Sequence, residues 1–356
     1  MYAVIMAGGR GTRFWPLSRA EKPKHLLNIA GERSIIQQTV DRISAYIAKE
    51  DIYVVTVAIH AAALAAQLPD IPRDNIIVEP VGRNTAPCIG LAALYLKRRN
   101  PDETMAVLPA DHLITDEGRF VETLAAADEM ARRTPSLITI GITPTRAETG
   151  YGYIERGEME GRAGGREIFR VGAFREKPDR ATAQRFLQQG GFYWNSGMFV
   201  WTVATILEEI ERLLPDLSGA LDEMDAVIGT AEERARIADI YAGVTPISID
   251  YGVMERSTRV LLVEGTFGWS DIGSWDALWE VLGKDGDDNA VTGDHIAVKA
   301  SRNLVHSSGK LVTLVGVSDI IIVESEDSIL VCKRGSSQEV KDAVDILEAR
   351  KMDDYL

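Results

Sequence analysis

Tyr2-Ala3-Val4-Ile5-Met6-Ala7 runs without interruption into Gly8-Gly9-Arg10-Gly11-Thr12-Arg13, then Phe14-Trp15-Pro16-Leu17 and, after a short gap, Glu21-Lys22-Pro23-Lys24. Six apolar residues bounded by a glycine cluster read as a buried strand that ends in a tight turn. Glycines there let backbone N–H groups converge on phosphate oxygens, because a Cβ would obstruct both the approach and the dihedrals. The same glycines would also serve a plain strand-ending turn. Thr12, Arg13 and Lys24 tip the reading, since a turn does not need two cations beside it. Two familiar phosphate loops fail on spacing. A dinucleotide fingerprint starting at Gly9 would need glycine where Phe14 stands, and a Walker A loop would need Gly-Lys-Ser/Thr.

Working outward, short apolar runs alternate with helix-period segments through the first 140 residues, as in a parallel sheet built from βαβ units; the fold class is α/β. Strands are expected at 2–7, 52–57, 75–79, 104–108 and 137–142. Helices are expected at 34–49, with Ile35, Ile36, Val40, Ile43 and Ile47 on one face and Ser34 as cap, and again at 91–99 and 120–132. Between 150 and 200 the pattern turns aromatic-rich and Gly-punctuated, with strands at 151–155, 169–175 and 192–201. These read as a second sheet region laid over the first. Helices at 202–214 and 231–241 and a strand at 259–263 follow. A turn-rich break at 283–289 reads as a linker. Beyond it, strands at 296–299, 311–315, 320–323 and 328–332 and a helix at 338–350 suggest a small β domain, dividing the chain into 1–282 and 290–356.

At 356 residues, 46% hydrophobic and 26% charged, the chain can bury a sizeable core without staples. Its net charge of −14 argues against nucleic acid or an anionic membrane as the main partner, because both select clustered Lys and Arg. Small anionic substrates remain compatible, since a local cation or metal inverts the field near a site. Cys88 and Cys332 lie far apart without metal-type spacing, so neither a disulfide framework nor a zinc site is expected, and a cytoplasmic location fits. The apolar start is too short for a signal peptide and lacks a basic leader.

Two acids stand out. Asp111, in Pro109-Ala110-Asp111-His112, follows a strand at the carboxyl edge of a parallel sheet, where ligands of open α/β folds bind. It suits a metal ligand, and it also suits a helix cap or turn. Asp271 lies in Gly268-Trp269-Ser270-Asp271-Ile272-Gly273-Ser274-Trp275, hemmed by aromatic residues and glycine. Three further segments place polar groups beside glycine or aromatic residues, as sugar hydroxyls and ring faces require: Thr149 to Ile154, Phe174-Arg175-Glu176-Lys177-Pro178, and Tyr193 to Phe199. Singly, each also reads as a hairpin turn or core strand.

The run Ala7 to Arg13, with Pro16 and Lys24, resembles the signature of the sugar-phosphate nucleotidyltransferase family. The resemblance extends over nearly the whole chain, including Val315-Gly316-Val317-Ser318-Asp319 through Cys332. It implies a Rossmann-like nucleotidyltransferase domain with a mixed, mostly parallel sheet, and a C-terminal β domain of left-handed β-helix type that serves packing and dimer formation. It implies that Gly8, Gly9, Gly11, Thr12 and Arg13 hold a triphosphate and that Lys24, rather than Lys22, stabilises charge at the reacting phosphorus, with Arg13 and Asp111 also catalytic. Asp111 and Asp271 would bind Mg²⁺. Gly152 and Asn195 would contact the sugar ring, Glu176 would accept from its hydroxyls, and Lys177 would pair with its phosphate. His112 is expected to be structural, because a sugar phosphate is already ionised at neutral pH.

Glu79-Pro80 and Asn84-Thr85-Ala86-Pro87 resemble the guanylyl version of the family's base motif. Glu79, Asn84 and Thr85 are therefore expected beside guanine, although Asn84 and Thr85 serve equally as a helix N-cap, and both can hold. Asp250-Tyr251-Gly252-Val253-Met254-Glu255 matches the same branch, with no chemistry assigned beyond lining the site. The resemblance thus implies GTP and mannose 1-phosphate as substrates. Other hexose or heptose 1-phosphates, another nucleotide, or a non-catalytic nucleotide-sugar sensor are the alternatives. Longer members carry a phosphomannose isomerase domain; this sequence is too short for one, so that activity is not expected.

Overall fold

The computed structural model describes residues 1–356 and divides into two compact units. The first comprises residues 1–8, 40–110 and 114–269, and the second 9–39, 111–113 and 270–356.

The first unit is built on one nine-stranded sheet. Its strands are β1 (Tyr2–Ala7), β2 (Ile52–Val57), β3 (Ile76–Glu79), β4 (Thr104–Pro109), β5 (Leu137–Ile142), β6 (Tyr153–Ala163), β7 (Arg166–Arg175), β8 (Phe192–Thr202) and β9 (Val260–Gly265). The spatial order is β3-β2-β1-β4-β8-β5-β9-β7-β6. β1 pairs in parallel with β2 and β4, and β2 with β3, so the βαβ reading of the first 110 residues holds. Ala3, Val4 and Ile5 are fully buried, which is why these strands read as unbroken apolar runs rather than alternating ones.

The expectation of a second sheet laid over the first does not hold. β8 inserts between β4 and β5, antiparallel to both, and β9 continues the same sheet through β7 and β6. β6 also pairs with β8 at Tyr153–Trp194 and Ile154–Tyr193. The register of β5 against β8 slips between Thr139 and Gly141, a bulge beside the segment that carries Asn195. At Gly141 a Cβ would lie 2.5 Å from Leu262 Cδ1 and 2.8 Å from Tyr193 Cβ, so only glycine admits the aromatic strand this closely.

The helix Thr85–Lys97 is apolar almost all round and is buried from Ala86 to Leu94, as that composition demands. It packs in one core with Ile206, Ile210, Leu217, Leu221 and Tyr241. The helix Pro215–Asp225, which supplies Leu217 and Leu221, was not expected from sequence, and neither was Ala58–Gln67.

In the second unit, Ala290–Thr292, Leu304–His306 and Ile320–Glu324 stack in parallel, as do His295–Val298 and Val312–Val315; Ile329–Lys333 closes the first stack antiparallel. Parallel stacking of successive short strands is the arrangement of a β-helix. Buried asparagines mark its corners. Asn303 Nδ2 donates to Asn289 Oδ1 (3.0 Å), and Asn303 Oδ1 accepts from Ile320 N (3.0 Å), satisfying a backbone group that the turn leaves unpaired. Phe14, Leu27, Ile272, Trp275, Leu304, Ile321 and Val340 share one core in this unit, so the glycine loop is anchored on the coil. No helix of the chain is long and apolar enough to cross a membrane.

Candidate active site

The second unit gathers six of the expected residues around one cavity of about 250 Å³, lined by Gly11, Thr12, Arg13, Phe14, Lys24, Asp111, His112, Asp271 and Gly273. The loop reaches it through the short 3₁₀ turn Thr12–Phe14, preceded by Gly11 in the left-handed region at φ 66°. Gly11 is there for a reason other than phosphate: a Cβ on it would stand 2.4 Å from Lys24 Cβ. Gly9, by contrast, has nothing within 4 Å of the same position, which is what an open cradle for a ligand requires. Ser18 Oγ donates to Gly11 O (2.8 Å) and Phe14 N donates to the same carbonyl (2.9 Å), fixing the turn.

Lys24 opens the 3₁₀ helix Lys24–Leu26 and is only 4% exposed, whereas Lys22 is exposed. Its ammonium donates to Asp111 Oδ2 at 2.8 Å and to the Asp271 carbonyl at 2.5 Å, and lies 5.6 Å from the centre of the Phe14 ring. Between the two lysines, Lys24 is therefore the one beside both acids. Ile272, next to Asp271, is held at φ 40°, a strained value for a β-branched residue, while its side chain is fully buried. The core thus fixes the turn that presents Asp271.

Burial would raise the Asp111 carboxyl, but the Lys24 ammonium beside it, helped by His112 and His25, holds it down at about 2. Asp111 is accordingly an anion at any physiological pH. Two carboxylates lining one cavity fit Mg²⁺, a hard cation that takes one or two protein carboxylates, keeps water and completes its shell with substrate phosphates. Protein groups alone form no cluster of three such ligands, so a closed protein cage is not what this site offers.

The first unit brings the expected sugar residues together. Glu176 lies against Gly152, where a Cβ would be 2.4 Å from Glu176 Oε2 and 3.2 Å from Asn195 Cβ. Lys177 Nζ donates to Glu176 Oε1 (2.7 Å), and Asn195 N donates to Gly152 O (2.8 Å). Asn195 Nδ2 also donates to Asp250 Oδ1 (2.8 Å), which adds Asp250 to the cluster. Burial, then the nearby Glu176 carboxylate, push the Asp250 carboxyl up to about 6, against the opposing pull of Asn195 and Lys177. The sequence pointed at the segment containing Asp250 without giving it a chemistry.

The residues expected beside the base are mostly engaged by the protein. Glu79 is 4% exposed; Tyr241 Oη donates to it, the Cys88 thiol bonds it, and burial raises its carboxyl. Asn84 caps Thr85–Lys97 by accepting from Thr85 N (2.9 Å) at φ 71°, and Thr85 Oγ1 accepts from Ile249 N (2.8 Å). The N-cap reading therefore fits Asn84, whereas Thr85 ties the helix start to the backbone at Ile249. Gly8 stays exposed at the end of β1, with Glu79 Oε2 3.7 Å from where its Cβ would be.

A model of the nucleotidyl transferase family matches residues 2–287, and one of the MannoseP isomerase/GMP-like beta-helix domain matches residues 293–347. The mannose-1-phosphate guanylyltransferase of Salmonella muenchen is 40% identical over 357 residues, covering 99% of this chain and 74% of the relative. That of Escherichia coli strain K12 is 39% identical over 354 residues, covering 98% and 74%. A solved structure from Thermus thermophilus, described as a mannose-1-phosphate geranyltransferase, has a TM-score of 0.87 at 35% identity and covers 98% of this chain and 99% of that one. The chain belongs to the nucleotidyl transferase family and, within it, to the mannose-1-phosphate guanylyltransferases.

Proposed function

We propose that the chain transfers the guanylyl group of GTP to mannose 1-phosphate, giving GDP-mannose and pyrophosphate. An oxygen of the sugar phosphate forms the new bond to the α-phosphorus, and the bond from that phosphorus to the β-phosphate oxygen breaks, so pyrophosphate leaves without a covalent enzyme intermediate. The observation that carries the reading is the Lys24 ammonium held between Asp111 and Asp271 in a cavity that Arg13 also lines.

Two unit negative charges about 4 Å apart repel by roughly 4 kcal/mol at an effective dielectric of 20, and bringing two phosphates together multiplies that cost. Asp111 and Asp271 would hold Mg²⁺, which when bound would supply charge neutralisation for the triphosphate. Arg13 and the loop N–H groups from Gly8 to Thr12 hold the phosphates, and Lys24 donates to the charge that grows in the transition state. A preorganised donor of this kind is typically worth about 3 to 4 kcal/mol. Glu176, Gly152 and Asn195 bind the hexose and Lys177 its phosphate. Glu79, Asn84 and Thr85 line the base pocket; Glu79 and Thr85 act as supports already bonded within the protein, while exposed Asn84 engages only its Oδ1 and keeps its amide N–H groups for the base.

Residues 1–282 carry the chemistry in this reading, and 290–356 serve packing and homodimer formation in a cytoplasmic enzyme. Light scattering on the purified chain tests the dimer. A grid of nucleoside triphosphates against hexose and heptose 1-phosphates with Mg²⁺, read as pyrophosphate release, tests the function. The highest kcat/KM is expected for GTP with mannose 1-phosphate, and none without the sugar phosphate; a preference for another pair overturns the substrate assignment.

A further inference from the structure

We propose that Asp250 is a specificity residue for the hexose, paired with Glu176 as a two-carboxylate acceptor for neighbouring hydroxyls and oriented by Asn195. The proposal rests on the sugar phosphate binding in the cluster around Gly152 and Glu176.

Asn195 spends its amide on the protein. Its Nδ2 donates to Asp250 Oδ1 at 2.8 Å, its Oδ1 accepts from Gly197 N at 3.0 Å, and its backbone N donates to Gly152 O at 2.8 Å. That leaves at most one N–H for a ligand, which is the condition of an orienting group. The group it orients has capacity to spare, because an ionised carboxylate offers about four acceptor positions.

Glu176 points the same way. Its Oε1 is taken by Lys177, and its Oε2 is buried with no hydrogen-bond partner, pressed over Gly152 where a Cβ would be 2.4 Å away. A buried carboxylate oxygen left unpaired is costly, and such orphans in a folded protein call for an explanation. The charged and titratable groups around the pair are Lys177, Tyr251 and Glu255, the last accepting from Glu176 N at 3.0 Å. Lys177 is the cation nearest to both acids, so the cluster carries more acceptors than the protein itself satisfies. A ligand that can donate hydrogen bonds through several adjacent groups, as a polyol does, meets that surplus.

Backbone geometry agrees. Asp250 opens the π-helical turn Asp250–Met254, a rare geometry that recurs at functional sites. With Lys177 at φ 46°, the two residues that flank Glu176 in space both sit in uncommon backbone states. The bland alternative is that Asp250 merely sits in the first turn of a short helix, where an acid is electrostatically favoured.

The test uses the full chain with GTP and Mg²⁺, comparing native enzyme with Asp250→Asn and Asp250→Ser against mannose 1-phosphate and its 2-, 3- and 4-deoxy analogues. Losing a hydrogen bond to a charged acceptor should raise the KM for mannose 1-phosphate roughly tenfold or more in both variants, with the KM for GTP within about twofold of native. The variants should also lose discrimination against one deoxy analogue while retaining it against the others. Asn195→Ser, which frees Asp250 without removing a carboxylate, should reproduce the selectivity change in smaller measure. Native selectivity and KM in Asp250→Asn and Asn195→Ser overturn the proposal, as does a parallel rise in both KM values. If native enzyme prefers a different hexose 1-phosphate, the same comparison runs on its deoxy series. A native enzyme that uses no hexose 1-phosphate overturns the function itself.

Discussion

Gly9→Ala and Gly11→Ala separate the two jobs that one glycine-rich loop is asked to do. At Gly11 the added methyl would stand 2.4 Å from Lys24 Cβ and 3.2 Å from Lys24 N, at φ 66°. Ordinary carbon–carbon contact lies near 3.5 to 4.0 Å, so the shortfall exceeds about 1 Å. The left-handed backbone costs a non-glycine residue about 1 to 3 kcal/mol, and overpacking about 1 to 3 more, so a loss of roughly 2 to 6 kcal/mol is expected. If the loop relaxes instead, Lys24 moves, and a displacement of about 1 Å at a reacting group can cost roughly 100-fold in rate. Gly9→Ala meets nothing within 4 Å and should leave stability within about 0.5 kcal/mol of native. Its methyl would instead intrude where the triphosphate binds, raising the KM for GTP. Urea unfolding followed by tryptophan fluorescence, which reports on Trp275 in the core shared with Phe14, and pyrophosphate release read the two effects. Native KM for GTP in Gly9→Ala would refute the phosphate cradle; native stability and turnover in Gly11→Ala would refute the close approach of Lys24.

Lys24→Met should lower kcat by roughly 100- to 1000-fold, as loss of a preorganised donor does, while Lys22→Met stays within about twofold; the reverse ranking in steady-state assays would reassign the lysine. Asp111→Asn and Asp271→Asn should each abolish turnover at millimolar Mg²⁺ with native circular dichroism, and isothermal titration of Mg²⁺ with GTP should show weakened metal binding. Asp111, held at about 2 against its ordinary 3.8, stabilises the fold above about pH 4 and loses that contribution as pH falls through 2. With the side chain 39% exposed, screening keeps this below about 1 kcal/mol, visible as a flatter acid-unfolding curve in Asp111→Asn. Asp250 has the opposite sign. Its carboxyl is raised from 3.8 to about 6, so the folded chain binds the proton more tightly and stability falls as pH rises between those values. Asp250→Asn should therefore stabilise by up to about 3 kcal/mol at pH 8 and by little at pH 3.5, measured as chemical-denaturation midpoints.

The parallel half of the sheet was legible because both its faces are covered. Tyr2–Ala7, Ile52–Val57 and Leu137–Ile142 begin and end where their apolar runs do. The insertion of β8 between β4 and β5 was not, since pairs such as Thr104 with Thr202 join residues far apart and leave no local period. Three-residue strands such as Ala290–Thr292 and Leu304–His306 are too short to show alternation, and the Asn289–Asn303 ladder that registers them reads in sequence as two isolated turn residues. Ala58–Gln67 escaped because its alanines give no clear apolar stripe. At the site, Asp111 was legible from its position after a strand, whereas the choice of Lys24 over Lys22 rested on the family resemblance. The state of Glu79 was not, because Tyr241 and Cys88, which occupy it, reach it only in the fold.

Asp111 and Asp250 show what the fold adds to a list of carboxylates. Each is an aspartate with an ordinary pKa near 3.8, and the structure moves them in opposite directions, to about 2 and about 6. The cause in one case is an ammonium at 2.8 Å, and in the other burial beside a second carboxylate. A permanent anion serves to hold a cation, whatever the pH of the cell. An acid close to its titration point gives up its charge at modest cost, which suits a group that must accept from, and on protonation donate to, an uncharged polyol. Groups whose environments drive their pKa values apart are suited to different work. On the proposed reading, a division of labour between metal and sugar would follow from the neighbours of the two side chains rather than from their identity.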